Sequence, residues 1–283
     1  EPVLRLAAEE VERAGLDRPF LKIAGICGST EQALKEAELA VSLGYDAGLL
    51  SMGGLADWSE EALLERTREV ARLLPVFGFY LQPAVGGRVF SYDFWRRLAD
   101  IPNVVAIKIA PFNRYQTLDV VRAVCMSDRR DEIALYTGND DNIVVDLLTT
   151  FEFDANGVKV RKSIVGGLLG HWAVWTKKAV ELLEEIKRVR GRDKIPSELL
   201  TRAAQVTDAN AAFFDPAHGF AGCIPGIHEV LRRQGLMRGI WCLNPHETLS
   251  PGQAEEIDRV CRAYPHLNDD DFVAAHLGEW LDG

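Results

Sequence analysis

Short apolar runs rich in β-branched residues alternate with longer stretches of helical periodicity from residue 20 onward. This alternation is typical of consecutive βα units, whose strands lie parallel in one sheet. We place the strands at 20–26, 47–51, 76–82, 104–110, 133–138 and 158–166. Hydroxyl residues precede three of the helical stretches, so we expect caps from Ser29 or Thr30, from Ser59 and from Ser91.

After residue 171 only helical periodicity remains. We therefore divide the chain into a (β/α) barrel domain, residues 1–194, and a C-terminal helical region, residues 195–283. The chain starts inside an amphipathic helix at 3–14, and six strands cannot close the usual eight-stranded barrel. The predicted fold class is α/β: a (β/α)8 TIM barrel whose first two βα units are absent from this chain, with a C-terminal helical appendage.

Composition narrows the classes of partner. A net charge of −10 over 283 residues, without a cluster of Lys or Arg, disfavours nucleic acid and acidic membrane surfaces. No apolar run approaches the 18 residues of a membrane span. The five cysteines are scattered and lack CxxC spacing, which predicts neither a disulfide framework nor a zinc site. We predict a cytoplasmic protein.

Lys108 lies in the run VVAIKIA, where every neighbour is apolar. A lysine on a buried strand loses hydration, which lowers the pKa of its ammonium and frees the amine to attack a carbonyl carbon. Near the carboxyl end of a barrel strand it would face the usual catalytic mouth. The alternative is a lysine that reaches solvent from a strand end or pairs with an internal carboxylate.

Tyr80 ends the preceding strand, and alternation puts Tyr80, Gly78 and Val76 on one face. Adjacent parallel strands should bring its phenol near Lys108, both pointing into one cavity, where the phenol could relay protons. The alternative is an aromatic core residue, because Phe77 and Phe79 lie on the same strand.

Residues 75–110, PVFGFYLQPAVGGRVFSYDFWRRLADIPNVVAIKIA, resemble the dihydrodipicolinate synthase and N-acetylneuraminate lyase superfamily, in which a strand ending in Tyr and an IPN(V/I)VxIK strand recur. The interval from Tyr80 to Lys108 is also similar to that of the family. The stretches IAGICGSTEQALKEAELAVSLGYDAGLL and LYTGNDDNIVVDLL, and the helical tail, resemble further family motifs. The resemblance covers roughly residues 18 to 265.

The resemblance implies a class I lyase, aldolase or dehydratase in which Lys108 forms an imine with pyruvate or another 2-oxo acid or sugar acid. Tyr80 would transfer protons, and the groups around Gly138, Asn139, Gly166 and Gly167 would line the pocket. It also implies a homodimer or homotetramer with no metal and no organic cofactor.

The chain departs from the family around the pocket. The GTTGE motif is not present, and Val85 replaces the arginine that usually follows the tyrosine by five residues. Arg88 lies three residues later and is our candidate for binding the substrate. The usual xAS(G/S)D after the lysine is IAPFNRYQT, and FDANGVKVRKS resembles an insertion before the last strand.

Two other functions stay open: a catalytically silent barrel that binds a small acid as a scaffold or sensor, and a metal-dependent barrel isomerase. The six histidines show no paired ligand spacing, which weighs against a metal. His171 follows GGLLG near the expected barrel mouth, where capping a helix start is the more ordinary role. Trp172, Trp175 and Trp241 would serve either a subunit interface or packing within one subunit.

Overall fold

The computed structural model describes residues 1–281 and divides the chain into two compact units. The first unit comprises residues 1–136 and 151–162, and the second comprises 137–150 together with the chain from residue 163. The predicted domain boundary at residue 195 falls inside the second unit, and as a domain boundary it stays a prediction. No helix within residues 1–281 is long and apolar enough to cross a membrane.

Five strands of the main sheet follow one another along the chain and alternate with helices. The strands are β1 Ile23–Ile26, β2 Ala47–Leu50, β3 Val76–Leu81, β4 Val104–Ala110 and β5 Ala134–Thr137. They lie side by side in that order, and β1 to β4 pair in parallel. The helices of this part are α1 Pro2–Arg13, α2 Thr30–Ser42, α3 Glu60–Ala71, α4 Tyr92–Ala99 and α5 Arg114–Cys125.

The predicted serine caps are confirmed. The side-chain oxygens of Ser29, Ser59 and Ser91 accept hydrogen bonds from the backbone N–H groups of residues 32, 62 and 94. Each bond satisfies one of the amide groups that a helix start leaves unpaired. The serines in the sequence therefore predict where these three helices begin.

The prediction of a strand at 158–166 is wrong in its extent. Residues 150–155 and 158–163 form a hairpin of two strands, β6 Thr150–Ala155 and β7 Val158–Ser163. Asn156 and Gly157 connect them with φ of 55° and 84°, the left-handed conformations that a tight hairpin turn needs. The sixth strand of the main sheet is instead the short β8, Gly166–Gly167, which follows β5 in the strand order.

The second unit is largely helical, as predicted for the end of the chain. It contains α6 Ile143–Leu148, α7 Thr176–Val189, α8 Glu198–Phe214, α9 Cys223–Arg233, α10 Gln253–Ala263 and α11 Asp270–Leu281. The N–H of Leu168 donates to the carbonyl of Thr137 at 2.9 Å, which holds the segment after β8 beside the end of β5. The count of six strands in the main sheet agrees with the sequence.

Candidate active site

Lys108 is the fifth residue of β4 and is half-buried. Its partner on β3 in the parallel register is Phe79, and its Nζ lies 4.4 Å from the centre of the Phe79 ring. The ring face attracts an ammonium group while excluding water from one side of it. The amine is thus held on an apolar wall near the carboxyl end of a parallel strand, which is where the sequence predicts it.

The two faces of the sheet in the first unit differ in exposure. The face that carries Lys108 includes side chains or backbone that solvent reaches, at Gly25, Leu49, Phe79 and Tyr136. The opposite face is buried throughout, at Ala24, Ile26, Leu50, Val76, Tyr80, Ile107 and Ile109. Helix α4 covers part of that buried face, since a Cβ at Gly78 would lie 3.3 Å from the Leu98 side chain. Within this unit, solvent therefore reaches the sheet at the Lys108 face.

Tyr80 lies on the buried face. Its ring centre is 4.8 Å from that of Trp95 and 5.8 Å from that of Phe90, and the Phe90 N–H donates to its phenol oxygen at 3.5 Å. Burial raises the pKa of the phenol. The prediction that Tyr80 and Lys108 point into one cavity is therefore wrong in this structure. The catalytic role of Tyr80 stays a prediction.

A register shift explains the difference. Val76 pairs with Val104, but the next pair is Phe77 with Ala106, so Val105 is an extra residue in β4. An unshifted ladder would continue to Tyr80 opposite Lys108, because both intervals are 28 residues. The extra residue moves Phe79 into that position, and a shift of one residue exchanges the faces of a strand.

Tyr136 is the phenol that the structure places on the Lys108 face, and the sequence analysis missed it. It is half-buried on β5, the strand that flanks β4 on the side away from β3. Its ring centre is 5.0 Å from that of Phe77, which pairs with Ala106, two residues before Lys108. The tyrosine ring therefore leans across β4. The alternation in the run ALYT, read together with the position of Lys108, was the signal available.

Arg88 braces two loops. Its Nη1 donates to the carbonyl oxygens of Ala56 at 3.1 Å and Trp58 at 2.7 Å, and its guanidinium carbon lies 5.2 Å from the centre of the Phe90 ring. These contacts tie the loop after β3 to the loop after β2. These two hydrogen bonds use only some of the N–H donors of the Arg88 guanidinium. Contact between Arg88 and a substrate stays a prediction.

Asn139 belongs to a buried polar cluster of the second unit. Its side-chain amide donates to the Asp146 carboxylate at 3.0 Å, and Thr137 and Asn142 donate to the same carboxylate at 2.7 and 3.1 Å. Asp146 is on α6, so the cluster fixes the chain at Gly138 against that helix. The Asn139 backbone N–H donates to the Thr137 hydroxyl at 3.1 Å, and its carbonyl accepts from the Asn142 N–H at 3.0 Å. Contact between Asn139 and a substrate stays a prediction.

Gly167 is required by a close contact. The Trp172 indole N–H donates to the Gly167 carbonyl at 2.7 Å, and a Cβ at Gly167 would lie 2.6 Å from that indole nitrogen. Any side chain here would displace the tryptophan. Gly166 is buried beside it. Contact between either glycine and a substrate stays a prediction.

His171 is buried in the short 3₁₀ turn that precedes α7. Its Nδ1 lies 2.7 Å from the Asn210 side-chain oxygen, and its backbone N–H donates to the Asp140 carboxylate at 2.9 Å. Burial lowers the pKa of its imidazole to about 4. The ring is therefore neutral at pH 7 and joins α8 to the turn after β8, rather than capping a helix.

This burial predicts an acid-sensitive stability. An unfolded His171 takes up a proton below its usual pKa of 6.5, whereas the folded one resists protonation until about pH 4. The free energy of unfolding should therefore fall by up to roughly 3 kcal/mol from this group as the pH drops through that window. Denaturant titrations at several pH values should show a shallower decline for His171→Asn than for wild type. The same substitution at the exposed His246 should leave the decline unchanged, and equal slopes for all three proteins would contradict the assignment.

Arg66 is a buried charged residue that the sequence analysis did not identify. It lies on α3, is 1% exposed, and has Nη1 3.5 Å from the Met52 sulfur. Its Nε and Nη2 have no hydrogen-bond partner among the described residues. Burial lowers the pKa of the guanidinium to about 10, so it keeps its charge at neutral pH. A desolvated cation thus lies beneath the loop that follows β2.

No family model matches the sequence. Two curated proteins similar to it are 4-hydroxy-tetrahydrodipicolinate synthases. The one from Acaryochloris marina is 32% identical over 143 residues, which are 50% of this chain and 46% of that protein. The one from Clostridium novyi is 31% identical over 117 residues, 41% of this chain and 38% of that protein. The matched region is thus less than half the length of these relatives.

Solved structures match over most of the chain. Dihydrodipicolinate synthase from Acinetobacter baumannii, complexed with pyruvate, gives a TM-score of 0.70 at 21% identity, covering 92% of this chain and 80% of that one. A prophage protein of the dihydrodipicolinic acid synthase family from E. coli, also with pyruvate, gives 0.68 at 17% identity, covering 94% and 80%. Identities this low show likeness of fold.

These matches, with the strand order and the C-terminal helices, confirm the predicted α/β fold class of the (β/α)-barrel type. In sequence the chain is similar to dihydrodipicolinate synthases over about half of its length, and in fold it is similar to them over most of it.

Proposed function

We propose that this protein is a class I lyase, aldolase or dehydratase that binds a 2-oxo acid such as pyruvate, or a sugar acid, as an imine of Lys108. The observation that carries the proposal is the position of Lys108. Its amine lies on the solvent-reached face of a parallel sheet, against the Phe79 ring and two residues before the end of β4. Curated relatives named as synthases of this superfamily, and two similar structures that contain pyruvate, support it.

The chemistry needs an uncharged amine and a source of protons. The Lys108 nitrogen attacks the carbonyl carbon of the acid, a proton moves from nitrogen to oxygen, and water leaves as the C=N bond forms. The protonated imine then accepts electrons when a bond at the neighbouring carbon breaks. This serves aldol cleavage, condensation and dehydration alike. Each step moves a proton, so a phenol near the amine would accelerate turnover.

Tyr136 and Tyr80 are the two candidates for that phenol. The family resemblance favours Tyr80. The position of Tyr136 on the same face of the sheet as Lys108 favours Tyr136, because Tyr80 lies on the opposite, buried face. We also propose candidates for binding the carboxylate and hydroxyl groups of the substrate. These are Arg88 and the groups at Gly138, Asn139, Gly166 and Gly167. Backbone N–H groups and a guanidinium are suited to that task.

Reductive trapping tests the proposal. Incubation with pyruvate and borohydride should add to the chain one pyruvate less one water plus two hydrogens, and peptide mapping should place the adduct on Lys108. Lys162 is the internal control, because it is also half-buried and burial lowers the pKa of its ammonium. Its Nζ donates to the Arg130 carbonyl. No adduct, or an adduct at Lys162 alone, would support the silent acid-binding barrel.

The assembly state and the cytoplasmic location stay predictions. Trp175 is buried and Trp172 bonds to Gly167 within the second unit, so these two pack inside the chain. Trp241 is 70% exposed and keeps the interface hypothesis open. One similar solved structure is of a monomeric dihydrodipicolinate synthase variant, with a TM-score of 0.68 at 21% identity. Light scattering should give the mass of a dimer or tetramer.

A further inference from the structure

The wall that β1 to β5 form around Lys108 is almost entirely apolar. Apart from Lys108 itself and Tyr136, strand alternation places only aliphatic residues, phenylalanine and glycine on this face. Leu49, Phe79 and Leu81 are half-buried, so solvent reaches this part of the wall. A molecule attached to Lys108 therefore meets mostly carbon atoms on the side that the first unit supplies.

Phe79 and Leu81 continue this wall from the amine toward the carboxyl end of β3. Phe79 pairs with Lys108, and its ring centre lies 4.4 Å from Nζ. Leu81 is the next residue of β3 on the same face and the last residue of the strand. Residues two apart on a strand are separated by about 7 Å. A short carbon chain that starts at an imine of Lys108 and runs toward the carboxyl end of the sheet can therefore contact Phe79 and then Leu81.

This wall offers few partners to the hydroxyl or amide groups of a bound acid. The phenol of Tyr136 is on β5, and β4 separates that strand from β3. Just past β2, the Ser51 side-chain oxygen accepts from the Gly53 N–H at 3.1 Å. A hydroxyl or amide held against Phe79 and Leu81 would lose its water without gaining a hydrogen bond, whereas a methyl group there gains by leaving water. In apolar pockets, a difference of one such group changes selectivity by roughly 10- to 100-fold.

We propose that the acid held by Lys108 carries a branched alkyl or aryl group beyond its 2-oxo carbon, and that acids with hydroxylated or amide chains are poor substrates. Leu81, together with Phe79, sets this preference. The preference rests on the proposed function, because the imine with Lys108 is what places the chain against these side chains. The substrate class thereby narrows to 2-oxo acids with an apolar chain.

Two isosteric acids test the preference. 4-Methyl-2-oxopentanoate ends in two methyl groups, and 2-oxosuccinamate has an amide in their place. Trapping with cyanoborohydride at low acid concentration gives the rate at which each acid forms an adduct on Lys108, and the same measurement on Nα-acetyllysine corrects for the reactivity of each ketone. The corrected rate on wild type should be at least about tenfold higher for the methyl acid than for the amide acid.

Leu81→Asn should bring that ratio to about threefold or less, because the new side-chain amide can form a hydrogen bond with the amide acid. Pyruvate is too short to reach Leu81, so its trapping by this variant should stay close to that of wild type. Leu81→Met keeps the side chain apolar and should retain the wild-type ratio. Leu118→Asn, at an exposed position of α5, should retain it as well. Circular dichroism should show that each variant is folded.

Equal corrected rates for the two acids on wild type, with pyruvate trapped at Lys108, would overturn the preference and leave the proposed function intact. An unchanged ratio in folded Leu81→Asn would overturn the role of Leu81. The absence of a Lys108 adduct with all three acids would overturn the proposed function and this preference with it.

Discussion

Lys108→Ala is expected to abolish pyruvate trapping and to lower turnover of a 2-oxo acid substrate by on the order of 10⁴-fold or more, as loss of a covalent nucleophile does in other enzymes. No imine can form without the amine, and water in its place cannot supply the C=N bond that accepts electrons in the later step. The side chain is half-buried and contacts the Phe79 ring, so its removal should cost only modest stability. The measurements are adduct mass and kcat/KM for wild type and variant.

Lys162→Ala is the matched control for that variant. Lys162 resembles Lys108 in burial, but its Nζ donates to the Arg130 carbonyl at the hairpin. Its removal should lower the midpoint of thermal unfolding slightly and leave trapping intact. Residual trapping in Lys108→Ala at the wild-type rate would assign the imine to another lysine and remove the basis of the proposed function.

Tyr136→Phe is expected to lower turnover by about 10²- to 10⁴-fold, the usual contribution of a positioned proton-transfer group. Its ring leans over β4 on the Lys108 face, so under the proposed function we expect its hydroxyl to exchange protons with the imine. Trapping should persist at a lower rate, because the amine is retained. Turnover, trapping rate and thermal stability should be measured together.

Tyr80→Phe is the matched variant, and we expect it to change turnover by less than about tenfold, below the range of a group that transfers protons. The Tyr80 phenol is buried against Trp95 and Phe90 on the other face, so its loss should affect mainly packing and stability. The reverse ranking of the two variants would restore the family-based role of Tyr80.

Local patterns predicted much of this fold because their causes are local. A serine followed by acidic and apolar residues at helical spacing starts a helix wherever it occurs, and the caps at Ser29, Ser59 and Ser91 followed. The apolar run around Lys108 became β4 with the bounds expected. Fold class and the helical end of the chain were likewise set by periodicity.

The register in which neighbouring strands pair was harder to predict from the sequence. Alternation assigned Tyr80 and Gly78 to one face correctly, but it could not reveal that an extra residue at Val105 would shift the ladder. This shift is why Tyr80 was assigned to the wrong face relative to Lys108. The Asn156–Gly157 turn is different, since Asn-Gly between alternating residues is a hairpin signal, and giving it weight would have corrected the strand at 158–166.

Residues on the two faces of the sheet are also under different constraints during evolution. Side chains such as Leu50, Val76 and Ile107 are closely packed, so drift there is limited by how much volume the core can lose or gain. Around Lys108, solvent reaches the other face, and replacements are limited by what must bind rather than by packing. Under the proposed function, a lineage can therefore exchange one acid substrate for another through changes at positions such as Leu49, while the buried face, and with it the fold, is inherited intact.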